Sequence, residues 1–294
     1  MPLTVEEIDA LVSEVNQLPD LMVSLRINRM LQNPDVSAQA LSQIIMLDSS
    51  LTVRLLRLCN SPVYGFSRKI ATVRDAVTIL GFKTLRQMLF TVISQNVYSR
   101  SFDGYALGKN ELWENAFTCA TYAQQLARKF RFSDPDIAFT ASMLRDIGKL
   151  VMEKQLQGKQ DELNQYLQMG QKSFEEVEEA VVGVSHTTLG ARLAEKWQLP
   201  DTLVAAIQYH HSPSRVPSDY DEDTKKLVSI IHLADIFTMM NGAGTGTDGM
   251  CYPLDPKSLL ILNIAPENLT LIYSELLDQQ TVVENALESL RGGD

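Results

Sequence analysis

Apolar residues recur at steps of three and four along nearly the whole chain. Between Leu112 and Phe130 they fall at Leu112, Ala116, Cys119, Ala123, Leu126 and Phe130, which sets them on one face of a helix. The same spacing predicts helices over 20–32, 37–47, 49–59, 73–80, 84–98, 136–153, 186–197, 201–211, 226–240 and 267–288. Start signals agree with these segments. Ser37 and Asp48 stand where N-caps are needed, Thr72 and Asp75 have capping-box spacing, and Pro200 sits where a new helix would begin. No stretch shows convincing period-two alternation, so an all-α fold is expected and a parallel sheet is disfavoured.

Several single residues read as punctuation or packing. Gly81, between two helical segments, suits a left-handed or close-approach position. Asn60-Ser61-Pro62 closes its helix, because Asn tolerates a left-handed cap and Pro cannot continue. Leu193 and Trp197 are one turn apart and should both face inward. The glycine-rich stretch 241–254 follows a helix rather than a strand and lacks a GK[ST] ending, so it reads as a loop and not as a phosphate cradle.

The chain has 294 residues, 45% hydrophobic and 21% charged, enough to bury a core without staples. Its net charge is −10, with acidic runs at 174–180 and 219–223 that read as solvated helix surface. Without a concentrated basic face, nucleic acid is not the expected partner. The three cysteines, Cys59, Cys119 and Cys251, form no CxxC pair, which fits a reducing compartment; Cys59 and Cys119 read as core. The N-terminus is acidic and interrupted by charge, unlike a signal peptide, and no apolar run approaches the ~18 residues of a membrane span. A cytoplasmic location is the expectation.

Several segments in order carry a family resemblance: LPDL (18–21), NPDVS (33–37), DSSLTVRLLRLCNSPVYGF (48–66), AVTILGFKTLRQMLF (76–90), LWENAFTCATYAQQLA (112–127), FTASMLRDIGKLVM (139–152), SHTTLGARLAEKWQLPDTLVAAIQYHHSP (185–213) and HLADIF (232–237). Together they resemble the HDOD family, whose signature would cover 18–213. The resemblance implies an N-terminal helical lobe at 1–108 packed on an HD-like helical lobe at 109–294 that includes the C-terminal helices.

HD phosphohydrolases, to which the second half is similar, hold a divalent cation with a His, a His-Asp pair and a distant Asp. The ion polarises phosphate and acidifies a bound water. Residue by residue, the resemblance places Asn115 at the first His, Arg145 and Asp146 at the pair, and Asp235 at the last carboxylate. A guanidinium has only donors and a permanent charge, so Arg145 cannot ligate a metal. Its side chain either replaces the cation by pairing with Asp146 or Asp235, or points to solvent. HD-GYP relatives use extra histidines near His186, His210 and His211, so those three with Asp235 form an alternative metal or anion site. Each histidine alone, His232 included, reads as a buried hydrogen-bonded group at a helix junction; His232 and Asp235 also share a helix face.

The expectation is therefore a non-catalytic signalling or scaffolding protein without a required cofactor. Its partners would be signalling proteins acting in trans, such as a kinase, a response regulator or a cyclic-dinucleotide enzyme. A metal-dependent phosphohydrolase with an altered ligand set and a sensor that binds a nucleotide or other anion without cleaving it are the alternatives.

Overall fold

The computed structural model describes residues 2–15, 45, 49–60, 69–168, 170, 172–248, 252–278 and 280–291. Among these residues no strand forms, and an isolated antiparallel bridge joins Phe102 to Leu107. The all-α expectation holds. No helix among them is long and apolar enough to cross a membrane.

The chain divides into two compact units that interleave along the sequence, whereas the lobes expected from sequence were consecutive. One comprises Met1–Leu18 and Tyr98–Tyr273, and the other Pro19–Val97 and Ser274–Asp294.

In the second unit, α2 (Ser49–Cys59) and α3 (Val73–Tyr98, its last residue already in the first unit) bury Leu55, Leu58, Leu85, Met88 and Val92. Thr72 caps α3, accepting from the Asp75 amide at 3.0 Å as its spacing predicted. Gly81 breaks α3 with φ 74, and nothing lies within 4 Å of where its Cβ would be. Of the two roles expected for Gly81, the left-handed backbone is the one it fills. Asn60 ends α2 by bonding the Leu56 carbonyl at 2.7 Å and both the amide and the carbonyl of Ile70. Ser37, Asp48, Ser61 and Pro62 lie outside the described residues.

The first unit holds α1 (Val5–Val15), α4 (Glu111–Lys129), α5 (Pro135–Leu144), α6 (Lys149–Leu156), α7 (Gln160–Gln168), α8 (Phe174–Val181), α9 (His186–Lys196), α10 (Asp201–Tyr209), α11 (Glu222–Met240) and α12 (Pro256–Leu262). Two helices follow: α13 (Leu269–Leu277), which runs across the division, and α14 (Gln280–Arg291), which packs on α2. The apolar face predicted over 112–130 is the spine of the first unit, packed against α5 and α11. Trp113 stacks on Phe117 there at a centroid spacing of 5.6 Å, and Phe139 meets Phe117 edge-on at 6.2 Å. Leu193 and Trp197 are buried as expected.

Three expectations need correction. The single helix predicted over 136–153 is two, because the chain turns at Arg145–Gly148. The segment 267–288 is likewise split into α13 and α14. The acidic run at 174–180 is not all solvated: Glu178 is fully buried and Glu175 nearly so.

Candidate functional site

Five elements of the first unit converge on one buried cluster. Helix α4 contributes Asn115, and the 145–148 turn contributes Arg145 and Asp146, with Lys149 opening α6. Ser185 caps α9, its hydroxyl accepting from the Thr188 amide, so that His186 is the first helical residue. His210 and His211 follow the last residue of α10, and Asp235 lies within α11.

Gly148 explains how the turn and α9 meet. A Cβ there would stand 1.8 Å from the His186 carbonyl oxygen and 2.6 Å from the Gly190 nitrogen. Only glycine lets the backbone carrying Asp146 touch the backbone carrying His186.

Arg145 is 1% exposed. Its Nε donates to Asp235 Oδ1 at 2.8 Å and its Nη1 to the Ser142 carbonyl at 3.0 Å. Nη2 donates to Asn115 Oδ1 and lies 2.8 Å from Asp235 Oδ1 and 3.2 Å from Asp146 Oδ2. Asn115 is fixed in turn by donating to the Ala243 carbonyl at 2.8 Å. The four positions carried over from the HD pattern are therefore adjacent, with the guanidinium between the two carboxylates.

Lys149 forms a second internal cation. Its Nζ lies 3.0 Å from Asp146 Oδ1 and 2.7 Å from Asp248 Oδ2, over the Tyr105 ring at 5.2 Å. Burial opposes the charge of Asp146, yet Lys149 and Arg145 outweigh it and hold the carboxyl well below the usual range.

The histidines differ in what their ring nitrogens meet. His186 Nδ1 lies 2.7 Å from Glu178 Oε2, which also accepts the His186 amide at 2.8 Å, while Tyr105 donates to Glu178 Oε1 at 2.5 Å. A carboxylate acceptor makes Nδ1 a donor and turns Nε2 toward Asp146, whose Oδ1 is 3.5 Å away. His210 Nδ1 donates to the Ile207 carbonyl at 2.8 Å. His211 stacks on Tyr252 at 3.5 Å and 3°, with Nδ1 3.4 Å from Asp235 Oδ2. His232 stands apart: Nδ1 bonds the His210 carbonyl at 2.7 Å and Nε2 accepts from the Asp255 amide at 2.8 Å. It fulfils the junction role expected of a lone histidine, and its spacing to Asp235 serves no shared site. Burial pushes His210 and His211 well below the usual imidazole range, while Glu178 outweighs burial and raises His186.

One fourth ligand differs from expectation. One atom each of Asp146, His186, His210 and His211 lie within 4.8 Å of one another, so the carboxylate that joins all three histidines is Asp146, while Asp235, held by Arg145 Nε, stands 3.4 Å from His211. The sequence reading also missed Glu178, Tyr105, Lys149, Asp248 and Tyr252. Glu178 alone left a signal: with Phe174, Val177 and Val181 it follows the steps of three and four that mark a buried stripe. A cavity of about 10 Å³ remains beside Arg145, Lys149, Asp248 and Tyr252, room for roughly one water.

A helical protein with the HD arrangement of positions and a guanidinium at its centre is thus defined by the geometry. The chain belongs to the HDOD domain family, which matches residues 16–213. It resembles an HDOD domain protein of unknown function from Geobacter sulfurreducens, at 25% identity and a TM-score of 0.73, over 98% of this chain and 99% of that one. A Treponema pallidum (strain Nichols) protein, named only as uncharacterized, is 25% identical over 230 residues, which are 76% of this chain. This chain spans only 42% of the length of that relative.

Proposed function

We propose that this chain is a regulatory HDOD module that works through protein partners in trans and does not hydrolyse phosphate esters. The observation that carries this reading is Arg145 between Asp146 and Asp235, at 3.2 and 2.8 Å. Hydrolysis by an HD site needs a divalent ion that polarises the phosphoryl oxygen and acidifies water. At this position a fixed cation with no lone pair takes up the carboxylates that would hold such an ion. The donor set of these four positions, Asn115, Arg145, Asp146 and Asp235, therefore does not fit the hydrolytic metal.

The sensor reading with Arg145 as the anion's partner draws less support. The guanidinium is already spent on Asp235, Asp146, Asn115 and the Ser142 carbonyl. A nucleotide would also need far more room than the present cavity gives. Partners of the signalling class (a kinase, a response regulator or a cyclic-dinucleotide enzyme) are part of the same proposal.

The test is a hydrolysis assay of the full chain on cyclic dinucleotides and an aryl phosphodiester, with Mg2+, Mn2+ or Fe2+. The expected result is no turnover above the buffer blank. Turnover that disappears in Asp146→Asn would overturn the proposal.

A further inference from the structure

Beside the guanidinium, a second group of side chains has its own unmet chemistry. Among the described residues, His186 Nε2, His210 Nε2 and both ring nitrogens of His211 are buried atoms with no hydrogen-bond partner, and Asp146 Oδ1 faces them while ion-paired with Lys149 at 3.0 Å. His232 is an internal control. It is equally buried but has both nitrogens satisfied, as a structural histidine in an apolar interior should. One ligand-capable atom from each of Asp146, His186, His210 and His211 lies within 4.8 Å of the others, a spacing at which a single lone-pair acceptor can serve all four.

We infer that Asp146, His186, His210 and His211 bind a single divalent ion of the zinc, ferrous or manganous class. Three imidazole nitrogens and one carboxylate oxygen suit borderline ions, and they disfavour Mg2+ and Ca2+, which prefer oxygen. Two of the imidazoles are already set for the task. His186 Nδ1 donates to Glu178 and His210 Nδ1 to the Ile207 carbonyl, which leaves each Nε2 as the atom available to an ion.

Charge points the same way. The carboxylates of Asp146, Asp235 and Asp248 face two permanent cations, Arg145 and Lys149, which leaves a net negative charge that Glu178 adds to from behind His186. Lys149 is the nearest cation an incoming ion would meet. It is 3.0 Å from Asp146 Oδ1, and Asp248 at 2.7 Å keeps it anchored when it yields that oxygen. That only one ion binds rests on the reading of Arg145 as a fixed internal cation, since the guanidinium holds the other side of Asp146.

The experiment uses the full-length, tag-free chain, stripped with chelator and then incubated with Zn2+, Mn2+ or anaerobic Fe2+. Metal per chain is measured by mass spectrometry after gel filtration, and melting temperature is followed alongside. One ion per chain and a raised melting temperature are expected. His210→Gln and His211→Gln should lose the ion, while Glu178→Gln should still bind but 10–100-fold more weakly. Far-UV circular dichroism confirms that each variant folds. No stoichiometric ion on the folded wild-type chain would overturn the site, as would binding that survives both histidine variants. Two ions per chain would overturn the single-ion assignment. Hydrolysis by a one-ion protein would sink the regulatory reading and leave the site standing; absence of both ion and hydrolysis would do the reverse.

Discussion

Arg145 Nε and Asp235 Oδ1 lie 2.8 Å apart although 90 positions separate them in the chain, and both side chains are almost wholly buried. Removing one partner of such a pair leaves an uncompensated charge in the interior. Arg145→Ala should therefore cost about 3–5 kcal/mol. Urea unfolding followed by circular dichroism measures it, and an unchanged midpoint would show that the guanidinium is not the countercharge.

Restoring the missing ligands should restore metal capacity. The double variant Asn115→His/Arg145→His supplies two imidazoles next to Asp146 and Asp235 and removes the fixed cation. It should take up one more Mn2+ per chain than the parent does, by the same metal analysis. Equal stoichiometry would mean that the HD arrangement has been lost beyond these two positions.

Gly148→Ala tests the contact between the 145–148 turn and α9. A Cβ there meets backbone at 1.8 Å, so the helix must move, at a cost of about 3 kcal/mol or more. Gly158→Ala is the matched control: its φ of +76 is strained for alanine but no atom lies within 4 Å, so about 1–2 kcal/mol is expected. Equal losses would show that the close approach does not matter.

Much of this was legible along the chain, and the failures share a cause. Periodicity found the spine at 112–130 and the break at Gly81, because both are local. It ran straight through Arg145–Gly148, since Leu144, Ile147 and Val151 keep the helical spacing while Gly148 is chosen for a contact with distant His186. Asn115, Arg145, Asp146 and Asp235 were assembled by resemblance and are indeed adjacent. That Asp146 meets all three histidines while Asp235 meets His211 follows from which carboxylate Arg145 holds with its Nε, a choice made by packing.

Burial should also govern the thiols. It pushes the Cys59 and Cys119 thiols up to about 12, so both stay in the unreactive thiol form at pH 8. Iodoacetamide should leave both unmodified in the folded chain and label both in urea, as peptide mass mapping would reveal. Labelling of Cys119 in the folded chain would mean that α4 opens readily.

The N-terminal helix gives a pH-dependent prediction. Asp9 of α1 accepts from Arg192 Nε and Nη2 at 2.7 and 2.8 Å. Arg192, with help from Lys196, holds its carboxyl well below the usual range. A lowered folded value stabilises the fold above the ordinary carboxylate range, and that contribution is lost as pH falls through the folded value. Asp9→Asn should therefore melt slightly lower than wild type at pH 7, and the gap should close in strong acid. A gap that is constant with pH would assign the loss to packing instead of charge.

The loop after α11 is fastened to three different elements. Its Ala243 carbonyl accepts from Asn115 at 2.8 Å, its Thr247 amide donates to the Tyr105 carbonyl at 2.8 Å, and its Asp248 holds Lys149 at 2.7 Å. One short stretch of backbone thus ties α4, the Tyr105 turn and the start of α6 together, so a substitution at any one of these anchors is felt at the other two.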